Sequence, residues 1–224
     1  MATSNGHPGS QQAHSRSHPP RRFVVGVSGA SGAAYATRLV EELLASGAEV
    51  HLVVTENGRR LLAEELEVTS LDLASLCPGA EARLGGVEAG AEDRLIVHPN
   101  KDVGAVIASG SFLHEGMVVV PCSSAALGYI ATGSGTNLLA RAAAVTLKER
   151  RRLILVHRES PLTLIDIRNM ESVTLAGGIV APANPGFYLG PRSVSDLVDF
   201  VVGKCLDLLS VPHELKVRWE AKKT

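Results

Sequence analysis

The chain has 224 residues, of which 45% are hydrophobic and 20% charged, a composition typical of a soluble globular protein. A net charge of −1 and an aromatic content of 4% exclude a strongly basic nucleic-acid surface and an aromatic platform for stacking bases. The apolar runs are too short to span a bilayer. Cys77, Cys122 and Cys205 form no Cys-x-x-Cys pair, which predicts a reduced, cytoplasmic protein without a zinc site.

The two ends of the chain differ from its middle. Residues 1–20 are rich in Ser, Gln, His, Pro and Gly, a composition that predicts a disordered tail. Residues 21–224 are predicted to form a single domain with a C-terminal helical extension that carries Trp219. Neither an internal repeat nor a further domain boundary is evident.

Short apolar runs alternate with longer runs of helical periodicity, which predicts alternating strands and helices. In chain order these are a strand at Phe23–Val27, a helix at Ala33–Ala45, a strand at Val50–Val54, a helix at Asn57–Glu67, a strand at Met117–Val120, a helix at Thr136–Arg150, a strand at Leu153–His157, a helix at Leu162–Leu175, a strand at Gly178–Ala181 and a helix at Val194–Leu209. Residues 69–102 show no clear pattern. The alternation predicts an α/β fold of three layers, with a mainly parallel sheet covered on both faces.

Polar or ionisable residues follow the predicted strands. In a parallel α/β sheet, ligands bind outside the carboxyl ends of the strands, so these residues are expected to converge. They are the turn Gly26–Gly32, Thr55, Ser123, Arg158 and Asn184.

The first of these turns has the pattern G-x-x-G-x-x-G, from Gly26 to Gly32. Glycines permit close backbone approach, and the N–H groups of the following helix can hold a phosphate, with hydroxyl donors from Ser28 and Ser31. The alternative is a turn that only packs helix against strand. Thr55 and Glu56 do not clearly place a carboxylate for an NAD ribose, so a mononucleotide fits better than a dinucleotide.

Several cations are candidates for binding an anion. Arg141 and Lys148 lie seven residues apart and therefore on one face of a predicted helix. A solvated basic face, with Lys148 complementing the helix dipole, is one interpretation. The other is an anion clamp formed together with Arg158 and Lys204.

Glu159 and Tyr188 also have two interpretations each. Glu159 is either a salt-bridge or capping residue, or an acid/base group at a strand end. Tyr188 is either a core residue or a hydroxyl that binds phosphate. The acidic residues form no D-D-x-x-D cluster, so the usual magnesium clamp for diphosphate is not predicted.

Seven motifs, in order from about Arg22 to Trp219, resemble the UbiX-type flavin prenyltransferases. They are Gly26–Gly32, Gly110–Phe112 with Gly116–Met117, Pro121–Ser123, Leu138–Ala143, Leu147–Arg151, Arg158–Leu162 and Pro185–Tyr188. The resemblance implies a Rossmann-like, flavodoxin-type fold, a homododecamer and FMN at subunit contacts. It also implies metal-independent transfer of a dimethylallyl group from dimethylallyl monophosphate to N5 and C6 of reduced FMN. The prenylated FMN is then expected to serve a partner decarboxylase of the UbiD type.

The resemblance also implies roles for individual residues. Those expected to bind FMN are Gly29, Ala30, Ser31, Thr55, Ser123, Ser124, Ala125, Ala126 and Arg158. Those expected to bind the prenyl phosphate are Tyr188 and Lys204, with Arg141 and Lys148 nearby. Glu159, as the proton-transfer carboxylate, and Ser31 are the expected catalytic residues.

The chain departs from the family's usual pattern at Ser124–Ala126, Asp166–Ile167 and Asn184. Two alternatives follow. One is an enzyme like the flavin-dependent cysteine decarboxylases, in which His98 would stand in for the catalytic histidine, although the segment from Pro182 to Pro185 lacks that family's second motif. The other is a non-catalytic FMN-binding protein.

Overall fold

The computed structural model describes residues 20–78 and 90–215, whose strands form one six-stranded parallel sheet in the order β3-β2-β1-β4-β5-β6. The strands are β1 (Arg22–Val27), β2 (Glu49–Val54), β3 (Leu95–Pro99), β4 (Gly116–Cys122), β5 (Arg152–His157) and β6 (Ile179–Val180). This is the predicted α/β class, and the five predicted strands are confirmed to within a few residues. The largest extension is that of β4, which continues past Val120 to Cys122, where the β4–β5 register becomes irregular.

Seven α-helices occur among the described residues, and five of them match predicted helices to within two residues at each end. They are α1 (Ala33–Ala45), α2 (Glu56–Leu66), α3 (Leu73–Leu76), α4 (Ser124–Ala131), α5 (Leu138–Lys148), α6 (Leu164–Leu175) and α7 (Val194–Leu209). Polar caps explain several of these starts: Thr163 and Ser193 each begin a helix with a capping box.

One strand and two α-helices of the described residues were not predicted. The strand β3 and the short helix α3 lie in the segment that shows no clear pattern, and β3 is only partly buried because it is the edge of the sheet. The helix α4 is short, and its apolar residues do not lie along a single stripe. A periodicity argument therefore has little to detect in either place.

The sheet separates two apolar cores. On one face α1 and α7 pack together over alternate residues of the strands, including Val25, Val118 and Val156. On the other face α4, α5 and α6 cover Val119 and Leu155. These are the three layers that the alternation predicts.

Two predicted regions lie outside the described residues: the tail at 1–20, apart from Pro20, and the C-terminal extension with Trp219. In the ranges that the structure describes, none of the helices combines the length and the apolar character needed to cross a bilayer.

Candidate functional site

The turns that follow β1, β4 and β5 are hydrogen-bonded to one another at the carboxyl edge of the sheet. The hydroxyl of Ser28 donates to the carbonyl of Pro121 at 2.9 Å and accepts the N–H of Ser123 at 2.8 Å. The N–H of Arg158 donates to the carbonyl of Cys122 at 3.1 Å. The convergence predicted from the strand ends is therefore present.

The N-terminus of α1 already holds an anion supplied by the chain itself. The carboxylate of Glu65 accepts the N–H groups of Gly32 at 2.9 Å and Ala33 at 2.8 Å, and it also bonds the Ser31 side chain. Burial raises the pKa of Glu65, but these hydrogen bonds and the charge of Arg158 outweigh burial, so the pKa lies below its usual value. The N–H groups at this turn are therefore oriented to bind an anion, and sequence reasoning missed that Glu65 occupies them; phosphate binding here stays a prediction.

The glycines of the first turn also have structural roles. A Cβ on Gly29 would lie 2.4 Å from Cβ of Asn57, so only glycine allows α2 to approach this turn. Gly32 has φ of +118°, in the region that favours glycine. Thr55 caps α2, because its hydroxyl accepts the N–H of Gly58 at 3.0 Å. Packing and ligand binding are therefore compatible roles for this turn.

The predicted flavin loop, Ser123 to Ala126, is the start of α4. The Ser123 hydroxyl caps this helix by accepting the N–H of Ala126 at 3.2 Å, whereas Ala125 is exposed. Cys122 is fully buried, and burial raises its pKa to about 12, which fits a packing role.

The side chain of Ser124 contacts residues of β5 and α6. Its hydroxyl lies 3.3 Å from Nε2 of His157 and hydrogen-bonds Asp166.

Arg158 and Glu159 are both exposed at the end of β5. The carboxylate of Glu159 accepts the N–H of Ser160 at 3.0 Å, and within the described residues no ion pair joins it to Arg158. The acid/base interpretation of Glu159 stays a prediction. The positive charge of Arg158 lowers the pKa of Glu65. Burial raises the pKa of Tyr35, and the charge of Arg158 opposes part of that rise.

Lys204 lies on α7, and Tyr188 packs against the same helix. The Tyr188 ring packs edge-to-face on Phe200, with centroids 5.7 Å apart, and is 54% exposed, which excludes the interpretation as a core residue. Lys204 is exposed one helical turn after Phe200, so both residues share that helix face.

Arg141 and Lys148 lie on α5, which packs on the opposite face of the sheet from α7. Both are exposed, and the Lys148 ammonium forms an ion pair with Glu149. Lys148 is in the last turn of α5, just before the start of β5, whereas the site lies at the other end of that strand. The four predicted substrate-binding residues are therefore not brought together within one chain.

A groove of about 850 Å³ between α1 and α7 contains none of the predicted site residues. Its Arg38 is already bound by the carboxylates of Glu41, Glu42 and Asp199 at 2.7–2.8 Å. In the part of the chain that the structure describes, no three His, Cys, Asp or Glu side chains are grouped to hold a metal ion.

Comparison with known proteins places this geometry in context. Residues 11–206 match the model of the Flavoprotein family. A flavin prenyltransferase UbiX of Halalkalibacterium halodurans is 44% identical over 88% of this chain and 92% of its own length. A crystal structure of AnUbiX in complex with FMN and dimethylallyl pyrophosphate is 35% identical, with a TM-score of 0.79 over 92% of this chain and all of that one. A dodecameric FMN-dependent UbiX-like decarboxylase from Escherichia coli O157:H7 is 34% identical, with a TM-score of 0.78 over 89% of this chain and all of that one.

Proposed function

This chain belongs to the Flavoprotein family and, within it, to the UbiX flavin prenyltransferases, and from that premise we propose its reaction. The enzyme joins the dimethylallyl group of dimethylallyl monophosphate to N5 and C6 of reduced FMN. The prenylated FMN is then delivered to a decarboxylase of the UbiD type.

The observation that carries the proposal is the hydrogen-bonded assembly of three turns at one edge of the sheet. Ser28, Ser123 and Arg158 come from three different strand ends and lie together there. At this edge the N–H groups of Gly32 and Ala33, at the N-terminus of α1, donate to the carboxylate of Glu65, and donors arranged in this way support a phosphate-bearing cofactor.

We assign FMN to the predicted residues of this edge. They are Gly29, Ala30 and Ser31 after β1, Thr55 after β2, Ser123 to Ala126 at the start of α4, and Arg158 after β5. The reduced flavin supplies the nucleophilic ring atoms when it is bound. The protein contributes hydrogen-bond donors and a positive charge that orient the ring and its phosphate.

Glu159 is proposed to accept the proton that leaves the ring carbon, since its exposed carboxylate lies beside the flavin residues. Ser31 is proposed as the second catalytic residue, a hydroxyl donor within the turn that binds FMN, and its side chain already bonds the Glu65 carboxylate. The departing phosphate is proposed to be held by Tyr188, Lys204, Arg141 and Lys148.

The positions of those four residues support a site completed by neighbouring chains. Tyr188 and Lys204 lie on the α7 side, and Arg141 and Lys148 lie on α5 across the sheet. We therefore propose a homododecamer whose chains supply these groups to one another. The buried, unpaired thiols of Cys77, Cys122 and Cys205 support a reducing, cytoplasmic location.

The test combines purified protein, reduced FMN and dimethylallyl monophosphate, with the flavin product weighed by mass spectrometry. The proposal expects a flavin heavier by one dimethylallyl group and about one FMN bound per chain by calorimetry. FMN uptake without product would support the non-catalytic alternative. Decarboxylation of a cysteine-ending peptide would support the cysteine-decarboxylase alternative.

Glu159→Gln tests the proton acceptor separately. Glutamine keeps the size of the side chain but cannot accept the proton, so we expect normal FMN binding and about a hundredfold slower product formation. Glu171→Gln, an exposed change on α6, is the matched control and is expected to react like wild type. A wild-type rate for Glu159→Gln would assign proton removal to another base, such as the released phosphate.

A further inference from the structure

We propose that Ser124 is a positioning residue: its hydroxyl ties together the two ends of the loop that carries Arg158 and Glu159. This inference rests on the proposed function only for the effect on catalysis. Residues 158–163 connect the end of β5 to the start of α6, and every one of them is exposed. His157 precedes this loop and Asp166 follows it, and Ser124 bonds both.

The hydrogen-bond donors in this cluster can be assigned from its chemistry. Asp166 accepts the N–H of Thr163 at 2.9 Å and the Thr163 hydroxyl at 2.6 Å, in addition to the Ser124 hydroxyl. The bonds from Ser124 and Thr163 lower the pKa of Asp166 to about 2, so it is a carboxylate and only accepts. The single proton of Ser124 therefore goes to Asp166, and the Ser124 oxygen accepts N–H from Nε2 of His157.

The same assignment excludes a nucleophilic serine. In a catalytic triad the carboxylate bonds the histidine, and the histidine takes the serine proton. Here the carboxylate of Asp166 bonds Ser124 directly, and His157 donates to Ser124 rather than accepting from it. The arrangement is a structural bridge and not an acyl-transfer centre.

Burial of His157 and Asp166 keeps water from taking the place of Ser124 in this bridge. His157 is 3% exposed and Asp166 is 5% exposed, so water does not readily replace Ser124 as their partner. The β5 end of the loop is also held by main-chain bonds, since the His157 carbonyl accepts the N–H of Ala183 at 3.0 Å. Ser124 is the side chain that joins the start of α6 to that fixed end, and the exposed loop between them depends on it for its orientation.

The first test needs no cofactor. In FMN-free protein, hydrogen–deuterium exchange of the amides in 158–163 is expected to be about tenfold faster in Ser124→Ala than in wild type, because the loop opens more often. Ser124→Thr keeps the hydroxyl and is expected to restore slow exchange. Ser172→Ala on α6 is the matched control, because the Ser172 hydroxyl bonds its own helix at the carbonyl of Arg168.

The second test separates positioning from general damage. Ser124→Ala is expected to lower kcat about tenfold while the KM for dimethylallyl monophosphate and the Kd for FMN change less than about threefold, because misplacing Glu159 affects the reaction more than binding. Asp166→Asn combined with Ser124→Ala is expected to be no slower than the slower single variant, since both changes break the same bridge.

Wild-type loop exchange and wild-type kcat in Ser124→Ala would overturn the inference, as would additive losses in the double variant. Should Ser124→Ala fail to fold, His157→Gln and His157→Leu repeat the exchange test from the other end of the bridge, because only glutamine keeps an N–H donor there. Equal exchange in those two variants would also overturn it. If wild type makes no prenylated flavin, the proposed function fails, but the exchange test still decides the bridge.

Discussion

His114 provides a quantitative prediction of how the stability of this protein depends on pH. Its Nδ1 lies 3.2 Å from the carbonyl oxygen of Gly116 and donates to it, whereas its Nε2 is buried with no hydrogen-bond partner among the described residues. The pKa of His114 is lowered to about 4, mainly by burial; the bond to Gly116 opposes this shift, and the charges of Arg151 and His51 contribute to it. A second proton would be placed on a buried nitrogen that has no acceptor among the described residues.

The magnitude follows from the difference between the folded and unfolded chains. The pKa of His114 is about 4 when folded and 6.5 in the reference state, so between these values the unfolded chain binds more protons. The stability contributed by neutral His114 is complete above pH 6.5 and is lost as the pH falls towards 4. This linkage corresponds to a loss of about 2 kcal/mol by pH 5 and about 3 kcal/mol by pH 4.

The assay compares wild type with His114→Asn by urea unfolding at pH 7 and pH 5, at one protein concentration. Asparagine keeps an N–H donor for the Gly116 carbonyl but does not titrate. The stability difference between the two proteins is expected to shift by about 2 kcal/mol in favour of the variant on going from pH 7 to pH 5. An unchanged difference would refute the assignment of a buried, unpartnered Nε2.

The remaining predictions concern the site and the assembly. Lys148→Ala, Arg141→Ala and Lys204→Ala are each expected to raise the KM for dimethylallyl monophosphate about tenfold or more with FMN still bound, and wild-type kinetics in all three would identify them as solvated surface charges. Light scattering is expected to give a mass near twelve times the 23.5 kDa of one chain, and a monomer would contradict the shared site. Glu65→Gln is expected to tighten binding of inorganic phosphate severalfold in calorimetry, because a neutral amide removes like-charge repulsion at α1; unchanged affinity would show that phosphate binds elsewhere.

The sequence predicts the framework well where local patterns are strong. The bounds of α1 and α7 match their predictions because a regular apolar stripe faces the core in each, and a capping box also marks the start of α7. The edge strand β3 and the helix α4 are not predicted, because neither has a regular pattern of apolar residues. Their existence follows from the sheet around them and not from their own residues.

Some contacts of the candidate site also follow from the sequence, and others do not. That Ser123 and Arg158 converge follows from the rule for parallel sheets, since both residues end strands. The contact of Glu65 with Gly32 does not follow from any spacing rule, because it depends on the path that α2 takes back to α1. The Ser124 bridge is equally invisible in sequence, since it joins three separate elements through side chains.

The locations of the cations connect the predictions on binding and assembly. β5 is six residues long, which separates its two ends by about 20 Å, and Lys148 lies at the end opposite Glu159. Lys204 lies ten residues into α7, about 15 Å along the helix from its start. A lysine side chain does not cover either distance, so neither cation reaches the Glu159 loop of its own chain. If charge removal at these two lysines weakens substrate use, the ammonium groups must come from neighbouring chains. In a variant that is already monomeric, replacing either lysine is then expected to cause no further loss of substrate use.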